Sequence, residues 1–311
     1  MSTFLFPFLE FYVNLLYNIL YGLSHYINLH LGGHLMKKKP LALIIIFSTI
    51  FVICLGCIIS FEYNNYVERQ KLESLQKELE NLDSVENSPE SSTEIKTQPE
   101  ETPEPEPTPE TLEEPLVVLP AYEKLLNENN DLFGWIKIDD TSIDFPIMQT
   151  IEDQNFYLRK DWNKDYSWYG LPFADCQVTL DSNNVIIYGH NMSDGAMFGD
   201  LTKYKDVSFY ESHKFIKFDT LYEKGLYEII SVSKTTACFT YEEVNKLDYY
   251  FYFHINMNSE EEFNEYVSKA KETAYFDTDV TAEYGDKLLT LSTCDYWTEN
   301  ARLLVIAKKV S

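Results

Sequence analysis

The sequence predicts a mainly β domain carried on a stalk behind a single membrane-spanning helix. Three observations support this. Between residues 134 and 310 lie short apolar runs separated by turn residues, at 134–138, 143–148, 171–174, 184–189, 215–218, 227–233, 287–293 and 302–310. Short strands at this spacing close into a barrel or stack as a sandwich. One stretch alone breaks the pattern with a clear helical period. Far upstream, residues 41–61 form an almost wholly apolar run without a charge, and about 20 such residues cross a bilayer as a helix.

The elements follow in order. Residues 1–35 are apolar and aromatic, and Met36-Lys37-Lys38-Lys39 reads as an alternative start, so 1–35 are expected to be a doubtful N-terminal extension. Residues 36–61 are the basic flank and the membrane helix. Lys37, Lys38 and Lys39 precede the apolar run and Glu62 follows it. The positive-inside tendency places the N-terminus in the cytoplasm and everything after the helix outside. The run is longer than the about 7–15 apolar residues of a cleaved signal, and no small-x-small cleavage site follows.

Residues 62–115 read as stalk. Leu72, Leu75, Leu79 and Leu82 recur at steps of three and four, which predicts a short amphipathic helix with at most a weak coiled-coil tendency. From 84 to 115 the chain is Ser, Thr, Pro and Glu, including Pro103-Glu104-Pro105-Glu106-Pro107-Thr108-Pro109-Glu110. Proline favours extended polyproline II and the acids repel one another, so no core forms. Residues 116–311 are then the globular domain, expected to fold without the stalk.

The helical window within this domain is 259–273, where Phe263, Val267 and Ala270 share a face and Ser259 with Glu262 offers a capping box. The formal net charge of the chain is −25, which excludes nucleic acid as a natural partner because its phosphates would be repelled. Of five cysteines, Cys54 and Cys57 lie in the apolar run, leaving Cys176, Cys238 and Cys294 outside the membrane. Three is odd, so at least one stays free or pairs with another molecule.

Three strand ends carry the chemistry. The run Leu288-Leu289-Thr290-Leu291-Ser292-Thr293 delivers Cys294 to its end, and Arg302 opens the next strand eight residues later. Val185-Ile186-Ile187-Tyr188-Gly189 ends at His190, with Gly189 free to take an unusual backbone angle. Two antiparallel strands adjacent in sequence bring Cys294 and Arg302 together. A thiol nucleophile, a proton carrier and an oxyanion donor suit acyl transfer through a thioester. His213 and His254 follow no strand-glycine signal and are expected to be surface or core residues.

These phrases, together with Asp131-Leu132-Phe133-Gly134-Trp135-Ile136, Asp144-Phe145-Pro146-Ile147-Met148-Gln149, Asn155-Phe156-Tyr157-Leu158 and Gly170-Leu171-Pro172-Phe173-Ala174-Asp175, resemble the sortases, and most closely class B. The resemblance covers about residues 120–311. It implies an eight-stranded β-barrel with peripheral helices, one inserted before the cysteine strand. It implies His190, Cys294 and Arg302 as catalytic residues, and Tyr188, Ser292, Thr293 and Asp295 at the substrate groove. Asp295 stands where some class B members carry glutamate, and the 294–302 loop is shorter than in some relatives, so the sorting motif is left open.

The implied activity is that of a membrane-anchored cysteine transpeptidase at a Gram-positive cell surface. It would cut a secreted protein within a C-terminal sorting motif and join the acyl group to a peptidoglycan-precursor amine. The resemblance implies no cofactor, and no acidic set matches the calcium site of some class A members. The alternatives are a pilin-polymerising sortase using a pilin lysine, a hydrolytic wall cysteine peptidase, and a non-enzymatic stalked binding domain.

Overall fold

The computed structural model describes residues 38–86, 116–238 and 240–311. The doubtful extension at 1–35 and the Pro/Glu-rich 87–115 lie outside the described residues. The chain divides into two compact units, 1–64 and 65–311.

Helix α1 is Lys38–Glu86. In the first unit it carries the apolar run, most of whose large side chains from Phe47 to Phe61 are exposed. Among the described residues this is the one helix long and apolar enough to cross a membrane.

The second unit is built on a closed ring of eight strands with peripheral helices, as expected. After helix α2 (Pro120–Glu128) come β1 (Leu132–Lys137), β2 (Asp144–Met148), β3 (Phe173–Ala174) and β4 (Asn184–Gly189). Helix α3 (Val207–Ser212), β5 (Phe215–Thr220), β6 (Leu226–Thr236), α4 (Tyr241–Val244), α5 (Glu260–Glu272), β7 (Leu288–Cys294) and β8 (Ala301–Lys309) follow. The spatial order is β1-β2-β3-β4-β7-β8-β6-β5, closing on β1. The pairs β2–β3 and β4–β7 are parallel and the others antiparallel.

Strand β8 reads as a continuous apolar run because both its faces are buried. Leu303, Val305 and Ala307 point into the ring with Leu289 and Leu291 of β7. Leu304 and Ile306 point outward beneath Phe263, Tyr266, Val267 and Ala270 of α5. Helix α5 begins where Ser259 caps it by accepting the Glu262 N–H at 3.2 Å. The Glu262 carboxylate takes the Asn258 amide instead of the Ser259 amide, so the capping box closes one residue early.

The compact unit starts at Asn65, not at Leu116. Leu75 and Leu79 of α1 are buried against Ala121, Tyr122, Leu125 and Trp135, with Leu72 and Leu82 packed beside them. The leucine face read as stalk, with a coiled-coil tendency, is covered by the domain itself. Polar pairs flank it, including Lys71–Glu128 at 3.3 Å and Lys224–Asp83 at 3.0 Å. Losing one buried leucine side chain typically costs about 2–5 kcal/mol. A chain beginning at residue 116 should therefore unfold at least about 5 °C below one beginning at residue 65. Equal midpoints in thermal unfolding would show that this helix segment contributes nothing.

Candidate active site

The parallel β4–β7 pair sets the site. It pairs Gly189 with Thr293, so both strands end on the same side of the ring, with His190 and Cys294 as neighbours. Such a pair needs a long connection, supplied here by residues 190–287. Strand β8 returns antiparallel from that end and pairs Arg302 with Cys294. On its other edge Arg302 pairs with Thr235 of β6. The three residues read from the strand ends are thus brought to one rim.

Gly189 serves by close packing. A Cβ there would lie 2.5 Å from the Phe198 ring, and its φ is not among the positive ones. The expected unusual backbone angle is replaced by contact with a buried aromatic. Phe198 also donates its backbone N–H to the His190 carbonyl at 2.9 Å, which folds the loop back on itself.

His190 Nε2 lies 2.9 Å from the Leu158 carbonyl oxygen. A carbonyl can only accept, so Nε2 carries the hydrogen and Nδ1 is left for proton transfer. Burial lowers the His190 pKa below 6.5, with the Leu158 bond opposing and nearby Arg159 adding to the fall. Burial lowers His254 likewise, against the raising effect of Glu265 and Glu262.

The sign follows from proton counting. As the pH falls through 6.5, the unfolded chain gains protons that the folded chain still refuses, so stability drops in that window. Thermal unfolding should show a falling midpoint below pH 6.5, flattened in His190→Gln. A midpoint independent of pH there would contradict the burial of these rings.

Cys294 is partly buried and unpaired by disulfide. Asn191 Nδ2 donates to its carbonyl at 2.8 Å, and Thr293 Oγ1 donates to the Gly189 carbonyl at 2.8 Å. Arg302 Nη1 donates to the carbonyls of Asn300 at 3.1 Å and Ala301 at 3.0 Å, fixing the guanidinium at the strand start. Arg302 lies close enough to Tyr250 and Tyr252 for its charge to oppose the upward push that burial gives their phenols.

The residues expected at the groove have the following partners. Ser292 and Thr293 are buried; the Ser292 hydroxyl meets that of Tyr252 at 2.8 Å, and Thr293 is committed to Gly189. Tyr188 is partly buried, packs its ring near Tyr252 and donates to Asp175 at 2.9 Å. Asp295 is only 6 % exposed. Its carboxylate pairs with Lys205 and accepts from the Tyr275 hydroxyl at 3.0 Å and the Tyr296 amide at 2.8 Å. Burial alone would raise its pKa, but these three partners outweigh it and hold the carboxyl below its ordinary value. A buried carboxylate must be paired, and this one looks into the protein.

Sequence reading missed Leu158, Asn191, Tyr252 and Lys205. Asn191 had a signal, as an amide directly after the histidine. The others lie far along the chain and carry no local one. His213 and His254 stack on Phe209 and Tyr249, away from the three strand ends. Among the described residues no group of three His, Cys, Asp or Glu is arranged to hold a metal ion.

The sortase domain family model matches residues 136–310. Sortase B of Staphylococcus aureus is 31% identical over 196 residues, spanning 62% of this chain and 75% of that protein. Sortase B of Listeria monocytogenes is 33% identical over 187 residues, spanning 59% and 71%.

The chain is a class B sortase.

Solved structures agree with this family. A Staphylococcus aureus sortase B–substrate complex superposes with a TM-score of 0.62 at 29% identity, covering 80% of this chain and all of that one. Clostridium perfringens sortase B gives 0.54 at 31% identity, covering 61% of this chain and 99% of that one. This sortase is therefore a cysteine transpeptidase with the sortase-type β fold.

Proposed function

We propose that this sortase is anchored by the apolar part of α1, with its catalytic domain outside the cell, and that it joins secreted proteins to a cell-wall amine. The observation that carries the reading is the meeting of Cys294, Arg302 and His190 at one rim, fixed by the β7–β8 and β4–β7 registers. The substrate class is a C-terminal sorting motif cut after threonine.

His190 Nδ1 takes the proton of the Cys294 thiol, and the thiolate adds to the scissile carbonyl, so that negative charge builds on its oxygen. Arg302 stabilises that charge with donors held in place before the reaction. The C–N bond then breaks, His190 gives a proton from Nδ1 to the leaving amine, and a thioester on Cys294 remains. A wall-precursor amine attacks the thioester, His190 takes its proton, and the Cys294 thiolate leaves. The energy of the broken amide is kept in the thioester, so the exchange needs no ATP.

Incubation with a panel of sorting-motif peptides and amines, read by mass spectrometry, tests this. A peptide–amine conjugate that depends on the added amine is expected. Hydrolysed peptide alone, at every amine concentration, would overturn transfer. Conjugation only to a lysyl ε-amine would move the reading to pilin assembly.

A further inference from the structure

The extracellular end of α1 reaches the loop that holds the histidine. Glu68 accepts a hydrogen bond from the Ser167 hydroxyl at 2.7 Å. A serine hydroxyl has one hydrogen and two lone pairs. With its hydrogen directed to Glu68, the Ser167 oxygen accepts from the amides of Tyr169 at 3.1 Å and Gly170 at 2.9 Å. Ser167 itself is 1 % exposed.

Gly170 has a φ of 61°, and a Cβ there would lie 2.5 Å from the Leu158 carbonyl oxygen and 2.6 Å from that of Tyr157. Its backbone therefore sits directly on the carbonyl that receives His190 Nε2. The next residue of the helix repeats the link. Arg69 contacts the Tyr169 hydroxyl at 2.9 Å and Asp194 at 2.7 Å, and Tyr169 donates to Asp194 at 2.7 Å. Asp194 lies in the loop that begins at His190. Both loops around the histidine are thus tied to one turn of α1.

Apolar packing of Leu75 and Leu79 with Tyr157 and Leu171 holds the helix beside these loops, and the Glu68 bond adds the polar contact that directs the Ser167 hydrogen. A cavity of about 280 Å³ lies beside this contact and is lined by Glu68, Leu72, Ser167, Tyr169, Gly170 and Leu171 among others. The Arg69–Asp194 pair is exposed, and such pairs contribute little to stability. Glu68 to buried Ser167 is the stronger link.

We infer that Glu68 is a positioning residue for the transpeptidase reaction, orienting Ser167 so that the 167–170 turn holds the Leu158 carbonyl against His190 Nε2 and leaves Nδ1 for proton transfer. The inference rests on the assignment of His190 as the proton carrier. Glu68→Ala removes the acceptor. Glu68→Gln keeps an acceptor oxygen and should rescue.

The full chain in detergent, with its histidines labelled with ¹⁵N, provides the test. A misplacement of about 1 Å can cost about 10²-fold in rate, and because His190 keeps other contacts we expect Glu68→Ala to lower kcat about 10-fold, with KM within about twofold. The imidazole ¹⁵N shifts of His190 should report the Nε2–H tautomer in wild type and Glu68→Gln, and a mixture in Glu68→Ala. Lys124→Ala, which breaks the pair of Lys124 with Glu78 elsewhere on the same helix, should leave kcat and tautomer unchanged. The tautomer needs no turnover, so it tests the brace separately from the transfer reaction. An unchanged tautomer in Glu68→Ala, or an equal loss of kcat in Glu68→Gln or Lys124→Ala, would overturn the inference.

Discussion

Replacing Cys294 with alanine should abolish peptide transfer, by at least about 10⁴-fold, while the unfolding midpoint stays near that of wild type. The substitution removes only a sulfur at the end of β7, and the backbone features that hold that end remain. Asn191 still bonds the residue-294 carbonyl, and the β8 register is unaffected. Mass spectrometry of enzyme mixed with a sorting-motif peptide should find a thioester on Cys294 in wild type and none in the variant. Turnover retained in Cys294→Ala, or an adduct on Cys176 or Cys238 instead, would refute the assignment. His190→Ala should be comparably severe. His213 and His254 are stacked on other rings and do not stand in for it.

Arg302→Lys should lose about 10²–10³ in rate although the charge is kept. The guanidinium is planar and is fixed through Nη1 by two backbone carbonyls, which orients the plane that carries its other donors. An ammonium on a flexible stem cannot satisfy both carbonyls and present a second donor in a fixed plane. Binding of a non-cleavable peptide should weaken far less than turnover, because the donor matters most when charge develops on the oxygen. Near wild-type turnover in Arg302→Lys would make Arg302 a structural residue that closes the 295–300 turn.

These expectations depend on features that differ in how far the sequence discloses them. The strand ends at Cys294, His190 and Arg302 were legible because each follows or opens an apolar run of strand length. Hydrophobic period is a local signal, so it finds such runs without tertiary information. The antiparallel β7–β8 pair was legible too, since adjacent strands joined by a short loop pair in that way. The parallel partnership of β4 with β7 was not. Its residues lie about one hundred positions apart in the chain, and only closure of the ring selects that neighbour.

Side-chain direction at the rim likewise waited for the fold. Ser292, Thr293 and Asp295 sit beside the nucleophile in sequence, and the resemblance to the sortases implied that they line the groove. In the structure Tyr252, Gly189 and Lys205 claim their polar atoms, because a buried hydroxyl or carboxylate must find a partner wherever the fold provides one. Gly189 was correctly singled out for the wrong reason, since the Phe198 ring that demands a glycine is nine residues away.

The α1 leucines show the same division. Their spacing determined that residues 72–82 form an amphipathic helix. Whether that face met a second helix, the solvent or its own domain depended on which apolar surface α2 and β1 left uncovered. By itself, then, the sequence determined the elements, the membrane-length apolar helix and the three chemical groups, all of which are written in local period and residue type. The tertiary structure decided which strands are neighbours, which polar atoms are already occupied, and that the helix after the apolar run belongs to the catalytic domain. Those outcomes are set by competition among distant surfaces for burial and for hydrogen-bond partners.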